Sequence, residues 1–230
     1  HSKAPFVAFA DQDDIWDEDH LALSVERLQA YEGSPAMSFS SSTQFFETGQ
    51  ESSVWPLFKQ GPQLSQIYIE CWARGCTVAL NRVAVDLVNT YASKDAVMHD
   101  WWCLLIMQTC GTVIYEPKPE INYRIHAANT IGLGNRSFIN TLRTIRDRKW
   151  LPYLQIVELF QAYENRMRPA ARVEVKNFID ALEGSLPRRV ATLVMSPNRF
   201  RESLYNEIRT RVAFLLFPWI FHVDKNSTKL

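Results

Sequence analysis

Short apolar runs bounded by polar or turn residues mark the first part of this chain, and apolar positions three and four apart mark the rest. Residues 5–10 are apolar and aromatic, the pattern of a buried strand. Leu21, Val25 and Leu28 then take up helical spacing in a segment that starts near Asp17. The stretch "RGCTVALNR", residues 74–82, predicts a glycine turn and a short strand, with a helix following over 83–91. In "MHDWWCLLIMQTCG", residues 98–111, the pattern predicts a buried helix with Asp100 at its start and Gly111 as its stop. "EINYRIHAANTIG", residues 120–132, predicts a strand that ends among Arg124, His126 and Asn129. Leu154, Val157 and Phe160, and later Val175, Phe178, Ile179 and Leu182, have the spacing of helix packing faces, as do Leu142 and Ile145 before them.

Composition changes the picture in one respect. At 230 residues and 47% hydrophobic the chain can bury a core, so a globular domain with an appendage is expected. Net charge is zero, yet residues 1–136 hold 9 Lys and Arg against 16 Asp and Glu, and residues 137–230 hold 16 against 9. A boundary near Ser137 follows, between an acidic strand-containing part (1–136) and a basic helical part (137–230). No run of 18 apolar residues occurs and no signal-peptide order opens the chain, so a cytoplasmic location is expected. The four cysteines form no C-x-x-C pair, and buried free thiols are the expectation.

The candidate chemistry is acidic. Residues 11–19, DQDDIWDED, hold six acids among nine residues. Asp17, Glu18 and Asp19 fall at or before the first turn of a helix, where the dipole favours carboxylates. Asp11 and Asp13 come earlier, on the loop leaving the carboxyl end of a strand, where open α/β sheets bind ligands. Two carboxylates spaced D-x-D can share a hard cation, Mg²⁺ or Mn²⁺, with substrate phosphates completing its shell. By position alone Asp100 reads as the cap of a helix starting at Trp101. Trp101 and Trp102 offer a sugar-stacking platform, with one of the two turned to the core. Residues 127–137 suit either a lid over a bound donor or an ordinary connection.

In their order and spacing, DQDDIW, the Gly-Cys-Thr turn, HDWW and the YR-x-H segment resemble family 2 glycosyltransferases of the GT-A fold, most closely the bacterial rhamnosyltransferase-like branch. The resemblance covers residues 5–132 and implies an α/β fold, a GT-A-like mixed sheet flanked by helices, followed by an α-helical extension. It implies that Asp11 lies near a nucleotide-sugar donor, that Asp13 binds the metal with help from His126, and that Asp100 is the catalytic base. Asp14 is a supporting candidate, and Arg124 and Asn129 are implied in substrate binding. The implied reaction is inverting transfer of a sugar, rhamnose for this branch, from a deoxythymidine-diphosphate donor to a growing surface polysaccharide or lipid-linked glycan. A further 80–100 residues of nucleotide-binding strands and helices are expected upstream of His1, since the fold places nucleobase recognition there.

The final segment, residues 199–221, combines an apolar stripe of Phe200, Leu204, Ile208 and Val212 with Arg199, Arg201, Arg209 and Arg211, and leads into Phe214, Phe217, Trp219 and Phe221. A basic amphipathic helix of this kind suits peripheral contact with an anionic membrane, at the inner face of the plasma membrane, and burial in a core is the competing reading. No nucleic-acid partner is expected. Two other functional classes stay open at this point: a non-catalytic sugar- or polymer-binding module, and a membrane-associated interaction protein.

Overall fold

The computed structural model describes residues 3–46, 53–125, 151–201 and 203–216. In chain order the elements are β1 (Phe6–Ala8), β2 (Ile15–Trp16), α1 (His20–Gln29), β3 (Ala36–Phe46), β4 (Ser53–Trp55), α2 (Leu64–Ile67), β5 (Val78–Asn81), α3 (Arg82–Val88), α4 (His99–Cys110), β6 (Thr112–Ile125), α5 (Leu151–Tyr163), α6 (Pro169–Glu183), α7 (Leu186–Arg189) and α8 (Leu204–Leu216). They form two compact units. The first contains all the strands with α1, α3 and α4, and the second takes Leu64–Glu70 and Ser93–Val97 together with the C-terminal helices. The boundary expected near Ser137 lies outside the described residues.

The first unit is a mixed sheet in the order β1-β5-β3-β6-β2, with β4 paired to the far half of β3. Among the described residues only β3 and β6 run parallel; the other pairings are antiparallel. This mixed α/β arrangement agrees with the class read from the sequence and is compatible with a GT-A-like fold. The strand at residues 5–10, the 74–82 turn and strand, and the buried helix ending at Gly111 are all present. Gly111 is required by close approach: a Cβ there would lie 2.6 Å from the Pro35 carbonyl oxygen. The next residue, Thr112, donates to that same oxygen at 3.0 Å.

Two differences from the sequence reading concern the centre of the sheet. The central strand β3 is AMSFSSSTQFF, for which the apolar pattern predicts nothing, yet Ser38, Ser40, Ser41 and Ser42 are all buried. Small side chains let neighbouring layers close on both faces, and three of these hydroxyls have partners. Ser41 Oγ donates to the Pro56 carbonyl at 2.6 Å and lies 2.7 Å from the Tyr115 hydroxyl. Ser42 Oγ accepts from Arg74 Nη1 at 2.6 Å, and Ser38 Oγ from Arg27 Nη1 at 3.5 Å. The last strand, β6, starts at Thr112 rather than Glu120. Its first half escapes pattern reading because Pro117 and Pro119 interrupt it, and proline cannot donate to a ladder. The register against β3 shifts there, from Ser40 opposite Glu116 to Ser41 opposite Pro119.

Beyond the shift, the Glu120 carboxylate is buried against α1. It meets His20 Nδ1 at 3.0 Å and Arg27 Nη1 at 3.2 Å, with Arg27 Nη2 on its other oxygen. His20 and Arg27 are seven apart and share one face of the helix. Burial alone would raise the Glu120 pKa, but the hydrogen bonds from His20 and Arg27 outweigh it and hold the acid below its usual range.

In the second unit Tyr68 stacks on Phe178 with centroids 4.4 Å apart, and Phe178, Phe200 and Phe214 pack together. Glu158 of α5 accepts from Lys94 N at 2.9 Å and Asp95 N at 3.0 Å, which fixes the Ser93–Val97 segment. The basic stripe expected to face a membrane is divided. Arg201 pairs with Glu70, and Arg211 donates to the Ser196 and Asn198 carbonyls at 2.9 and 3.0 Å and to Glu207 at 2.6 Å. These two arginines therefore serve internal contacts and not a headgroup surface. Phe200 is 3% exposed, whereas Leu204 and Ile208 are 67% and 56% exposed, so the apolar stripe is split as well. Phe217, Trp219 and Phe221 lie outside the described residues, among which no helix is long and apolar enough to cross a membrane.

Replacing Glu120 by Gln should lower unfolding stability at neutral pH by about 3 kcal/mol, the scale for breaking a buried pair from one side. Because the folded pKa is depressed, this stabilisation is present above the ordinary value of 4.5 and is lost as pH falls through the lower folded value. Urea unfolding midpoints of the two proteins should converge over that acidic range; a gap independent of pH would exclude the carboxylate as its source.

Candidate functional site

The acidic turn is bound to the sheet at both ends. After β1, Phe9 N donates to the Val78 carbonyl at 3.0 Å, and at the far end Ile15 and Trp16 pair with Asn122 and Ile121 of β6. Between them Arg124 holds the turn twice: its backbone N donates to Asp14 Oδ1 at 3.1 Å and its Nε to the Asp13 carbonyl at 3.0 Å. The turn so held brings a carboxylate oxygen of Asp11, one of Asp14 and Cys76 Sγ within 4.8 Å of one another. Asp14 Oδ2 is buried and has no hydrogen-bond partner among the described residues.

The donor set fits a hard divalent cation. Burial, and then a hydrogen bond to the Asp14 carboxylate, push the Cys76 thiol far up, and the two carboxylates are the oxygen donors that a hard cation such as Mg²⁺ or Mn²⁺ would take. An orphaned buried carboxylate oxygen is the atom that a cation would satisfy. The Asp11 carboxyl is also raised, by burial first and then by the like charges of Asp14 and Asp13, with His99 acting in the opposite sense. The sequence reading put the metal on Asp13. In the structure the carboxylate that converges with Asp11 is that of Asp14, because Arg124 grips the backbone of one residue and the side chain of the next.

Across the Gly75–Thr77 turn lies a second acid. A Cβ on Gly75 would fall 3.2 Å from His99 Nε2 and 3.7 Å from Asp100 Oδ2, while the next residue, Cys76, faces Asp11 and Asp14. Gly75 and Cys76 thus place His99 and Asp100 beside one residue of the turn and Asp11 and Asp14 beside the next. Helix α4 starts at His99 with Met98 as its N-cap residue, so Asp100 lies inside the first turn and not at the cap position expected for a helix starting at Trp101. Asp100 Oδ1 accepts from Trp101 N at 2.7 Å. Burial raises its pKa, against the lowering effect of the Trp101 N–H, His99 and the Gly75 N–H.

No protein-family model matches the chain. Over 141 residues it is 26% identical to the dTDP-rhamnosyl transferase RfbG of Shigella flexneri. The match takes in 58% of this chain and 47% of that protein, so the chain spans about half the length of this relative. It supports a distant, rhamnosyltransferase-like glycosyltransferase relationship.

Seen beside that relationship, the remaining expected residues divide. Trp101 and Trp102 are both buried, each 5% exposed, so neither presents the stacking face expected of a platform; the apolar helix α4 draws both into the core. Arg124, expected on substrate, holds the acidic turn and lies over the Phe45 ring at 5.2 Å. His126 and Asn129 lie outside the described residues. Two residues were missed. His99 packs edge-on to Phe9 at 5.1 Å and acts on both Asp11 and Asp100; its place in HDWW was the available signal. Arg74, next to Gly75, carries no motif, and only the fold shows that it lies over Trp55 and Tyr123.

Isothermal titration with Mn²⁺ separates Asp13 from Asp14. Asp14→Asn should weaken binding by about tenfold or more, at least the scale of losing a supporting contact in a metal site, and Asp13→Asn should change it far less. The reverse order would return the metal to Asp13.

Proposed function

We propose that the chain is the metal-holding and acceptor-side part of an inverting GT-A glycosyltransferase of family 2. It moves a sugar, rhamnose by likeness to the Shigella protein, from a nucleotide-diphosphate donor to a growing surface polysaccharide or lipid-linked glycan. The observation that carries this reading is the pair of acid sets on either side of the Gly75–Cys76 turn: Asp11 and Asp14 with an unsatisfied oxygen on one, Asp100 with a raised pKa on the other. Such a transfer needs negative charge compensated at the leaving diphosphate and a base at the acceptor hydroxyl, and these are two different tasks for carboxylates.

Asp11 and Asp14 would hold Mg²⁺ or Mn²⁺, which when bound supplies Lewis-acid stabilisation of the leaving diphosphate. Asp100 takes the proton of the acceptor hydroxyl as it attacks the anomeric carbon. Its burial makes it a stronger base than a solvated aspartate, and the Trp101 N–H holds the carboxylate in place. His99, beside Gly75, favours the ionised forms of both Asp11 and Asp100 when it carries a proton. One base with no enzyme nucleophile gives inversion at the anomeric carbon.

Asp100→Asn preserves the acceptor for the Trp101 N–H while removing the base. Transfer from a deoxythymidine-diphosphate sugar should fall about 10²-fold or more with unfolding stability little changed. The wild-type rate should decline on the acid side through the raised pKa of Asp100, above the ordinary value of 3.8, and that limb should be absent from any residual activity of the variant. A fully active variant, or one whose loss merely tracks unfolding, would defeat the assignment.

A further inference from the structure

Arg74 is a largely enclosed cation held on aromatic rings. Its carbonyl accepts from Thr77 N and Thr77 Oγ1, each at 2.9 Å, so its backbone is fixed at the head of the turn. The guanidinium lies over two rings, with Cζ 4.4 Å from the Trp55 centroid and 4.1 Å from that of Tyr123. Nη1 donates to Ser42 Oγ at 2.6 Å, and this is the hydrogen bond the guanidinium makes among the described residues, out of five N–H donors. Arg27, Arg82, Arg201 and Arg211 each have a carboxylate within ion-pair distance; Arg74 has none among the described residues. Burial works against its charge, and Asp14 acts on it through space in the opposite sense.

A half-buried cation without a counter-ion is costly unless something else supplies the anion. The aromatic rings favour the cation and hold the fork rigid, and a rigid planar fork suits two oxygens of one phosphate group. Charge favours phosphate: Asp11, Asp14 and a divalent cation would sum to zero, which leaves the arginines at this turn to meet a polyanion, and of these Arg124 Nε is taken by the Asp13 carbonyl while Arg74 makes its hydrogen bond to Ser42 alone among the described residues. We propose that Arg74 is a phosphate-binding residue, its guanidinium taking an oxygen pair of the substrate next to the Asp11 and Asp14 carboxylates. The identity of that substrate as the sugar donor's diphosphate rests on the glycosyltransferase reading; the binding chemistry does not.

Isothermal titration of inorganic pyrophosphate into the whole chain, with and without Mg²⁺, tests this without any need for turnover. The wild type should bind saturably. Arg74→Met, which keeps an apolar stem over the rings, should bind at least about tenfold more weakly, the scale of one charge-assisted hydrogen bond. Arg74→Lys keeps stem and charge but not the fork, and should fall between the two even if the Met variant folds poorly. Absence of saturable pyrophosphate binding by the wild type, or wild-type affinity in either variant, overturns the proposal. Arg74-dependent pyrophosphate binding with no transfer from any nucleotide sugar would leave it standing and sink the enzyme reading. Transfer by Arg74→Met with an unchanged donor KM would do the reverse.

Discussion

An ionised carboxylate buried beneath a helix destabilises the fold unless it is paired and hydrogen-bonded. Glu120 meets that condition through His20 and Arg27, both from one face of α1. The pairing joins α1 to β6 and settles where the chain between β1 and α1 can run. Asp17 N donates to the Glu120 carbonyl at 3.0 Å, and the neighbouring β6 residues carry β2. Four positions further along the same strand, Arg124 grips the turn itself. The position of the acid pair is therefore a property of β6 more than of the acidic segment, and the proline-induced register shift upstream sets which β6 residues reach it.

The same economy of space governs the relation of the two acid sets. Three carboxylates, Asp11, Asp14 and Asp100, approach a single turn, and two of them have raised pKa values through burial. A side chain at residue 75 would crowd His99 Nε2, 3.2 Å from its Cβ, and lie in contact with Asp100. Glycine there leaves room beside His99 and Asp100, and the Cys76 thiol, its pKa pushed far up by burial, lies against Asp11 and Asp14 on the next residue. Repulsion among these acids is a strain that a cation would relieve, which is why the unpartnered Asp14 oxygen is informative.

Arginines show how little a charge count says about position. The arginines of residues 199–211 read as a membrane-facing set, yet Arg211 satisfies carbonyls of the segment before α8 and Arg201 answers Glu70. In the first unit Arg124 organises a loop and Arg74 lies on aromatic rings. The side-chain type is common to all four; their partners come from distant parts of the chain, and periodicity carries no information about them.

What the sequence determined by itself is local. The apolar run before DQDDIW, the turn, strand and helix of residues 74–88, and the buried α4 with its glycine stop each follow from spacing and turn chemistry within a few residues. The places of Asp11 at a strand exit and of Asp100 near a helix start are local facts as well, whereas the base role for Asp100 came from the family resemblance. Tertiary structure decided the rest. The serine-rich β3 becomes the central strand because small polar side chains find partners on Pro56, Tyr115 and Arg74, a pairing that no periodicity encodes. Asp14 replaces Asp13 in the acid pair because a β6 arginine more than a hundred residues away sets the turn's orientation. Trp101 and Trp102 both go to the core because α4 is enclosed, and enclosure depends on neighbours that a single helix's sequence does not name.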